Sequence, residues 1–389
     1  MTVVSEEGLM AIYRIAWLPG DGIGVDVMRA ARLVLDGIGL KAEYVHGDIG
    51  WEFWCREGNA FPERARQVLR ATDCALFGAI TSKPKDEAER ELDPKLKGKG
   101  LAYTSPIVQM RQEFDLHTNL RPCRAYPGNP LNYRDGIDLV VFRENTEDLY
   151  AGVEFYPVPA DVKAFLKERN TKFTKFAAVP DDEIAISLRI NTKRASERIS
   201  RAAFKYAAEH GYKTVTIVEK PNVLRETSGV MIRAARAVAK EFPAIGLREA
   251  NIDAMCMWLI KNPTDYGVLV ASNMFGDIIS DLCAQLVGGL GFASSGNIGD
   301  SYAVFEPTHG SAPKYAGQDK VNPIATILSA RLMLEWLGER DMAACLEAAV
   351  ATVVADAKVR TYDMGGTNTT TEMARAVLDA YRTMEVGVG

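Results

Sequence analysis

Tyr13-Arg-Ile-Ala-Trp-Leu-Pro-Gly-Asp-Gly-Ile-Gly24 is the stretch that decides the fold class of this 389-residue chain. Its mostly apolar start predicts a buried strand, which ends at a Pro-Gly turn, and a helical pattern follows through Val34 and Leu35. The glycines at 20, 22 and 24 do not follow the G-x-G-x-x-G spacing of a dinucleotide-binding turn. We therefore interpret the segment as strand, tight turn and helix.

The same alternation continues along the chain. Strand-like runs at Ala42 to His46 and Cys74 to Ile80 flank a helical pattern from about Pro62 to Arg70. Later, a helical pattern from about Lys193 to His210 precedes the strand-like run Thr214 to Val218. Strands that alternate with helices predict an α/β protein with a largely parallel sheet.

Composition and charge limit the classes of protein to which the chain can belong. A chain of 389 residues exceeds the usual size of a single core, so we expect two domains. The formal net charge of −5 disfavours nucleic acid as a partner, because phosphate binding requires a concentrated basic surface. Six cysteines without CxxC spacing indicate reduced thiols. Residues 1–10 lack the apolar core of a signal peptide, and no run is long enough to cross a membrane, so we expect a cytoplasmic protein.

Two carboxylates, Asp277 and Asp281, lie four residues apart, just after an apolar run from Tyr266 to Ser272. On a helix this spacing places both on one face, where like charges repel unless a cation or a proton lies between them. Carboxylates without a nearby Cys or His cluster suit Mg²⁺ or Mn²⁺. Taken alone, a solvated helix face with two acids is the more frequent explanation of such spacing.

Three arginines are placed where their side chains could converge. Ser105 is the expected N-cap of a helix with proline at its first position, and Arg111 is placed near the start of this helix. Arg121 and Arg143 are placed at strand ends. Guanidinium groups bind carboxylates in bidentate fashion, so three converging arginines would bind a polycarboxylate, although single surface arginines indicate little.

Two stretches interrupt the alternation. Residues 82–100 are rich in Lys, Glu, Asp and Pro, which predicts a surface loop or insertion. From Tyr150 to about Asn191 the chain consists of short polar pieces interrupted by proline, which predicts an extension suited to subunit contact.

Two further charged residues stand near expected strand or helix ends. Lys220 closely follows a strand-like run, where a cleft is expected, although a lysine extended along the surface explains it as well. Asp253 lies at an expected helix start, where a carboxylate also stabilises the helix dipole.

Six segments in this order make the chain resemble the β-decarboxylating dehydrogenases, the family of isocitrate, homoisocitrate and 3-isopropylmalate dehydrogenases. They are Leu18-Pro-Gly-Asp-Gly-Ile-Gly24, Leu120-Arg-Pro122, Phe142-Arg-Glu-Asn-Thr-Glu-Asp-Leu-Tyr-Ala-Gly152, Lys220-Pro-Asn222, Asn273-Met-Phe-Gly-Asp-Ile-Ile-Ser-Asp281 and His309-Gly-Ser-Ala-Pro313. The resemblance covers nearly the whole chain and implies the two-domain α/β fold of these enzymes, with a cofactor site unlike the Rossmann site. It implies a large cofactor-binding domain (1–116 and 288–389), a small dimerisation and substrate domain (117–147 and 193–287) and a clasp-like extension (148–192).

The resemblance also implies a homodimer whose active sites lie between the two domains and are completed by the second subunit. The implied substrate ligands are Ser105, Arg111, Arg121, Arg143 and Asn222. Asp277 and Asp281, with Asp253 of the partner subunit, would hold Mg²⁺ or Mn²⁺. Lys220 of the partner subunit would take the proton of the substrate hydroxyl, and Tyr150 would protonate the enol carbon after decarboxylation.

The implied cofactor residues are Thr81, His309, Gly310, Lys314, Tyr315, Asn322 and Tyr362. NAD-dependent members of the family tend to carry an acidic residue directly after the Ala-Pro of the loop, where this chain has Lys314 and then Tyr315. A cation and a phenol suit the 2′-phosphate of NADP. Gly366 stands where NADP-type relatives carry arginine and favours NAD, but the balance of charge leads us to expect NADP.

The resemblance leaves the substrate open among 3-substituted malates. Isocitrate enzymes show Ser-x-Asn before the first arginine, and here Ser105 is kept while Ile107 replaces the asparagine, as in homoisocitrate dehydrogenases. The extension and the cofactor loop resemble isocitrate dehydrogenases. We expect isocitrate, with homoisocitrate or 3-isopropylmalate as alternatives.

Two hypotheses from other classes remain. A regulatory subunit would keep the fold without turnover, but such subunits commonly lose a metal or base residue, and this chain retains all five: Tyr150, Lys220, Asp253, Asp277 and Asp281. A metal-free Rossmann dehydrogenase of 2-hydroxy acids conflicts with the spacing of the glycines.

Overall fold

A ten-stranded sheet extends through the molecule in the computed structural model, which describes residues 13–385. The strands are β1 (Tyr13–Gly20), β2 (Ala42–His46), β3 (Cys74–Ala79), β4 (Thr118–Arg124), β5 (Asp138–Glu144), β6 (Glu154–Phe155), β7 (Ile186–Ser187), β8 (Thr214–Glu219), β9 (Gly246–Asn251), β10 (Val268–Ala271), β11 (Ser294–Ile298) and β12 (Ala303–Pro307). The helices are α1 (Gly24–Gly37), α2 (Trp51–Glu57), α3 (Glu63–Arg70), α4 (Lys85–Arg90), α5 (Pro106–Glu113), α6 (Ala160–Arg169), α7 (Lys193–Glu209), α8 (Thr227–Ala239), α9 (Ile252–Lys261), α10 (Asn273–Leu286), α11 (Ile324–Trp336), α12 (Arg340–Asp356) and α13 (Thr370–Glu385).

The order of strands in this sheet is β2-β1-β3-β12-β11-β4-β5-β10-β8-β9, and β6 and β7 form a separate small sheet. The predicted α/β class is confirmed. The pairs toward both ends are parallel, as predicted, whereas β12–β11, β11–β4 and β4–β5 are antiparallel. Parallel neighbours require a crossover, usually a helix, and no helix separates β4 from β5 or β11 from β12.

Side chains of β5 alternate between two layers of helices. Val140 and Phe142 belong to the core that contains α7, whereas Leu139 and Val141 pack in the core that contains α10. Because side chains alternate along a strand, Arg143 faces α10. The sheet thus directs a charged side chain into the layer between β5 and α10.

Residues 82–100 are more ordered than predicted. They contain α4, and Ala88 and Leu92, four residues apart, are buried against Trp54. The indole Nε1 of Trp54 donates to the carbonyl of Ala88 at 2.9 Å. The expectation of a surface loop or insertion is corrected in one respect, because part of the segment is helical and Ala88 on α4 and Leu92 just past its end pack with Trp54.

The structure bears on two predictions, that the cysteines are reduced and that the chain does not cross a membrane. The six cysteines, all within residues 13–385, form no disulfide bond with one another, as expected for reduced thiols. Across residues 13–385 no helix combines the length and the apolar character that crossing a membrane requires. The expectation about residues 1–10 lies outside the described part of the chain, as do both ends of the predicted large domain.

The glycine turn after β1 supports another loop. Gly22 has a φ of +55°, and a Cβ at this position would lie 2.1 Å from the carbonyl oxygen of Ser311. The neighbouring amide of Ile23 donates to the same oxygen at 2.8 Å. The absence of a side chain at Gly22 therefore allows the segment 309–313 to pack directly on the turn.

We predict that Gly22→Ala destabilises the protein more than Gly39→Ala. Gly39 also has a positive φ, +81°, but a Cβ there would meet no atom within 4 Å, so alanine introduces only backbone strain of about 1–3 kcal/mol. At Gly22 the same strain is joined by a steric clash with Ser311. Urea unfolding curves of both variants measure the two losses, and equal losses would contradict this role of the turn.

Candidate active site

Three buried guanidinium groups lie on neighbouring elements. The exposed fractions of the side chains are 8% for Arg111, 9% for Arg121 and 2% for Arg143. Arg111 is in the last turn of α5, not near its start, because this helix has only eight residues. Arg121 lies in the middle of β4, not at a strand end, because β4 continues its pairing with β5 as far as Arg124.

The positive charges are close enough to affect one another. Arg121 and Arg143 both reach Asp277, Arg121 at 3.3 Å from Nη1 to Oδ1. Burial and the neighbouring charges of Arg111 and Arg121 lower the pKa of Arg143 to about 9. The group remains cationic at neutral pH, in a region with a surplus of hydrogen-bond donors.

Arg143 has a donor that the protein does not satisfy. Its Nε donates to Asn273 Oδ1 at 2.9 Å and its Nη1 donates to Asp277, but its Nη2 is buried and has no hydrogen-bond partner among residues 13–385. An unpaired buried donor on a charged group is costly. A carboxylate ligand would satisfy it, so this donor set fits an anionic substrate.

Asp277 connects the arginines to the predicted proton donor. It accepts hydrogen bonds from Tyr150 and Arg143. Burial opposes its ionisation, but the charges of Arg143 and Arg121 outweigh this effect and lower the pKa of Asp277. Burial and the bond to Asp277 raise the pKa of Tyr150, so its phenol keeps its proton at neutral pH.

Helix α10 can approach β5 because residue 276 is glycine. A Cβ on Gly276 would lie 2.7 Å from the Cβ of Arg143. On the polar side of α10, Ser280 Oγ accepts from Arg121 Nη1 at 2.7 Å, and Asp281 Oδ1 lies 3.3 Å from the same nitrogen. Asp277 and Asp281 therefore lie on one helix face, as their spacing predicts.

The two aspartates offer oxygen ligands of the type that Mg²⁺ or Mn²⁺ prefers. Among residues 13–385, no group of three or more His, Cys, Asp or Glu side chains is placed to hold a metal ion. The third predicted ligand, Asp253, instead pairs with Lys220 at 2.6 Å, and its side chain is 67% exposed. Asp253 is thus accessible to a second molecule.

Ser105 and Asn222 are the remaining predicted substrate residues. Ser105 is the N-cap residue of α5, as predicted, and its side chain makes no capping hydrogen bond within the described part of the chain. The carbonyl of Ser105 accepts from the amide of Gln109 at 3.1 Å, so the backbone alone begins the helix. Asn222 is exposed in the turn after Lys220.

A second cleft, of about 430 Å³, contains most of the predicted cofactor residues. It is lined by His309, Gly310, Tyr315, Asn322 and Tyr362, among others. Among the residues that the structure describes, His309 Nε2 is buried without a hydrogen-bond partner. An unpaired polar atom on a residue that lines a cleft of this size fits a polar organic ligand such as a nucleotide.

Two other predicted residues lie beside this cleft rather than lining it. The hydroxyl of Thr81 is hydrogen-bonded to that of Ser311 at 2.6 Å, so Thr81 supports the loop. Lys314 Nζ lies 4.7 Å from the centre of the Tyr315 ring.

Lys320 was not predicted as a cofactor residue. Its Nζ lies 4.9 Å from the centre of the Tyr362 ring and 5.8 Å from that of Tyr315, so it joins Lys314 at one edge of the cleft. The sequence gives one indication of this role, because Lys320 is a second basic residue in the loop, two positions before Asn322.

Known proteins resemble the chain over nearly its whole length. A family model described as isocitrate/isopropylmalate dehydrogenase matches residues 14–377. Protein DlpA of Legionella pneumophila is 41% identical over 94% of this chain, which spans only 58% of the length of DlpA. The isocitrate/homoisocitrate dehydrogenase of Thermus thermophilus is 40% identical over 96% of this chain and 99% of that protein. The crystal structure of isocitrate dehydrogenase from Methylococcus capsulatus, 34% identical, has a TM-score of 0.82 and covers 95% of this chain and 100% of that chain.

We predict that Arg143→Gln weakens the binding of tricarballylate, a simple tricarboxylate, by at least about tenfold, because the substitution removes the unpaired buried donor and its charge. Isothermal titration of the two proteins measures the change. Arg134→Gln is the matched control, since Arg134 is exposed and contacts the carbonyl of Lys261 and the ring of the exposed Tyr133 at the surface. Unchanged binding by Arg143→Gln would exclude this arginine as a carboxylate ligand.

Proposed function

The chain belongs to the isocitrate/isopropylmalate dehydrogenase family, and we propose that it oxidatively decarboxylates isocitrate to 2-oxoglutarate and CO₂ with reduction of NADP. The family consists of metal-dependent decarboxylating dehydrogenases that act on 3-carboxy-2-hydroxy acids with a nicotinamide cofactor. The observation that supports the proposal best is the group of three buried arginines with the unpaired Nη2 of Arg143.

The arginines suit a substrate with several carboxylates. Arg111 is held by Asn297 at 2.9 Å and by Glu306 at 3.3 Å, and Arg121 is held by Asn119 at 2.7 Å. The amide oxygens of Asn297 and Asn119 fix the orientation of two guanidinium groups without cancelling their charge, whereas Glu306 and Asp277 balance part of it. A tricarboxylate such as isocitrate matches three guanidinium groups better than a monocarboxylate.

Asp277 and Asp281, with Asp253 of the partner subunit, would hold Mg²⁺ or Mn²⁺ in a homodimer. When bound, the ion supplies positive charge beside the substrate hydroxyl and its neighbouring carboxylate, and the nicotinamide supplies the hydride acceptor. The exposed side chain of Asp253 supports the shared site, because it is accessible to a second molecule.

Two side chains of the protein would move the protons. Lys220 of the partner subunit is assigned the proton of the substrate hydroxyl. Tyr150, held by Asp277, is assigned the protonation of the carbon that loses CO₂. The phenol of Tyr150 is protonated at neutral pH, as a proton donor must be.

The basic edge of the second cleft supports NADP over NAD. Lys314 and Lys320 lie beside Tyr315 and Tyr362, so two cations and two phenols are available for a 2′-phosphate. The nearby carboxylate of Asp319 accepts hydrogen bonds from Thr371 and Arg29 rather than facing the lysines alone.

Homoisocitrate is the second candidate substrate because of Ile107. This side chain is partly buried and packs against the core that contains Met110 and Leu116. It offers no hydrogen bond to the third carboxylate of isocitrate, and a pocket without such a donor discriminates less strongly between substrates of different length.

We predict the highest kcat/KM for isocitrate with NADP and Mg²⁺, with lower values for homoisocitrate and 3-isopropylmalate. Removal of divalent ions with EDTA should abolish turnover. Steady-state assays with the three acids and both cofactors measure this, and Ile107→Asn should raise the preference for isocitrate over homoisocitrate. Absence of turnover with all three acids would refute the proposed reaction.

We predict that Lys320→Ala lowers kcat/KM for NADP by roughly tenfold and leaves the value for NAD unchanged, because the lost charge–phosphate contact exists only with NADP. Lys314→Asp should lower the value for NADP further and favour NAD. Lys358→Ala, at an exposed lysine paired with Asp356, is the control. A wild-type preference for NAD would contradict the cofactor assignment.

A further inference from the structure

A second buried charge cluster lies next to the residues proposed for catalysis. Arg189 contacts Asp148 at 2.5 Å through Nε and Glu219 at 3.2 Å through Nη2. The side chains are 9%, 0% and 1% exposed, respectively. One guanidinium thus compensates two carboxylates that have almost no access to water, and loss of such a partner is strongly destabilising.

The cluster fixes the start of α10, the helix that carries Asp277. The amide of Ser272 donates to Glu219 Oε1 at 3.0 Å, and the amide of Met274 donates to Asp148 Oδ2 at 3.0 Å. These two carboxylates satisfy amides at the helix N-terminus that have no partner within the helix, and their charge is favourable there.

The same carboxylates belong to the segments of the two residues assigned to proton transfer. Asp148 is two residues before Tyr150, and Glu219 directly precedes Lys220. Ser228 Oγ donates to Glu219 Oε2 at 2.6 Å and lies 3.3 Å from the amide of Lys220.

The backbone of Asp148 is strained. Its φ of +69° and ψ of −148° lie in a region that is otherwise nearly restricted to glycine. The conformation is held by its amide, which donates to the carbonyl of Ile190 at 2.7 Å, and by the bond of its carboxylate to Arg189. Strain of this kind persists only where the surroundings fix it, and here it turns the chain immediately before Tyr150.

Arginine is the side chain that can make all of these contacts. Besides both carboxylates, it donates through Nη2 to Ser272 Oγ at 2.6 Å, and its guanidinium lies 4.8 Å from the ring centre of Phe275 on α10. Lysine carries the same charge but lacks the planar set of donors that spans several partners.

We propose that Arg189 is a positioning residue for the reaction, which holds the segments of Tyr150, Lys220 and Asp277 in their relative places. The proposal rests on the proposed function. In the proposed dimer, Tyr150 and Asp277 belong to one active site and Lys220 of the same chain belongs to the other. One buried cluster therefore positions residues of both active sites. Arg189 also belongs to the extension 148–192. The packing of this extension and the geometry of the active sites therefore depend on the same contacts.

The kinetic test uses Arg189→Lys, which keeps the charge. We expect kcat to fall at least tenfold while KM for NADP changes less than threefold, because the cofactor cleft is formed by other elements. Arg201→Lys is the matched control, since Arg201 on α7 forms a double hydrogen bond with Glu241 at the surface. A wild-type kcat in Arg189→Lys would overturn the proposal.

A double-mutant cycle separates positioning from general destabilisation. In a Tyr150→Phe background Arg189→Lys should lower kcat less than it does in the wild type, because part of its effect acts through Tyr150. Additive losses would overturn the proposal. Ser272→Ala, which removes one partner and no charge, serves if Arg189→Lys does not fold, and it should lower kcat in the same non-additive way.

Hydrogen exchange gives a readout that needs no turnover. In Arg189→Lys we expect faster exchange of the amides of Ser272 and Met274, and unchanged exchange in β12. If the wild type is inactive on all three malates but these amides respond, the proposed reaction fails while the positional role of Arg189 stands. If the wild type is active and these amides do not respond, the positioning proposal is overturned.

Discussion

Three like charges buried side by side are the constraint on which the rest of this structure depends. Arg111, Arg121 and Arg143 come from one helix and two strands, and burying cations is costly unless each is oriented and paired. The antiparallel pairing of β4 with β5 places Arg121 and Arg143 on the same face of the sheet. Helix α10 must then approach this face closely enough to bring Asp277 between them, which a glycine at position 276 permits.

Two groups of cations have different surroundings. In the proposed substrate site, Arg111, Arg121 and Arg143 are buried guanidinium groups that asparagine and serine oxygens orient and that Glu306 and Asp277 partly balance in charge. At the edge of the second cleft, the cations are exposed lysines beside tyrosine rings. A planar guanidinium group suits a buried polycarboxylate and an exposed ammonium group suits a phosphate, and these are the ligands that we propose for the two sites.

Much of the fold follows from local sequence because its strands are short apolar runs that end in turns. The runs that predict β1, β3 and β8 lie within two residues of the observed strands, and the spacing of Asp277 and Asp281 correctly predicts a shared helix face. The six family segments, taken in order, predict the rest of the fold, because a resemblance to a known family does not depend on local sequence pattern alone.

The features that the sequence does not predict correctly have one physical cause, because each depends on contacts with residues distant in sequence. Arg121 is in mid-strand because β4 extends along β5, and α4 is ordered because Trp54 covers its apolar face. Arg189 looks like an ordinary polar residue in a polar segment. Its ion pairs with Asp148 and Glu219 form only in the folded chain, and no spacing along the sequence indicates them.

The order of strands in the large sheet also has a consequence for how the chain folds as it is synthesised. The strands β4, β5, β8, β9 and β10 come from one continuous stretch, whereas β3 pairs with β12, which is made much later. Tyr13 likewise bonds Glu339, and α1 packs against α13 at the end of the described chain. The part of the sheet formed by β1 to β3 is therefore completed only after β12 has been synthesised, and the open edge of β3 must stay protected while the middle of the protein folds.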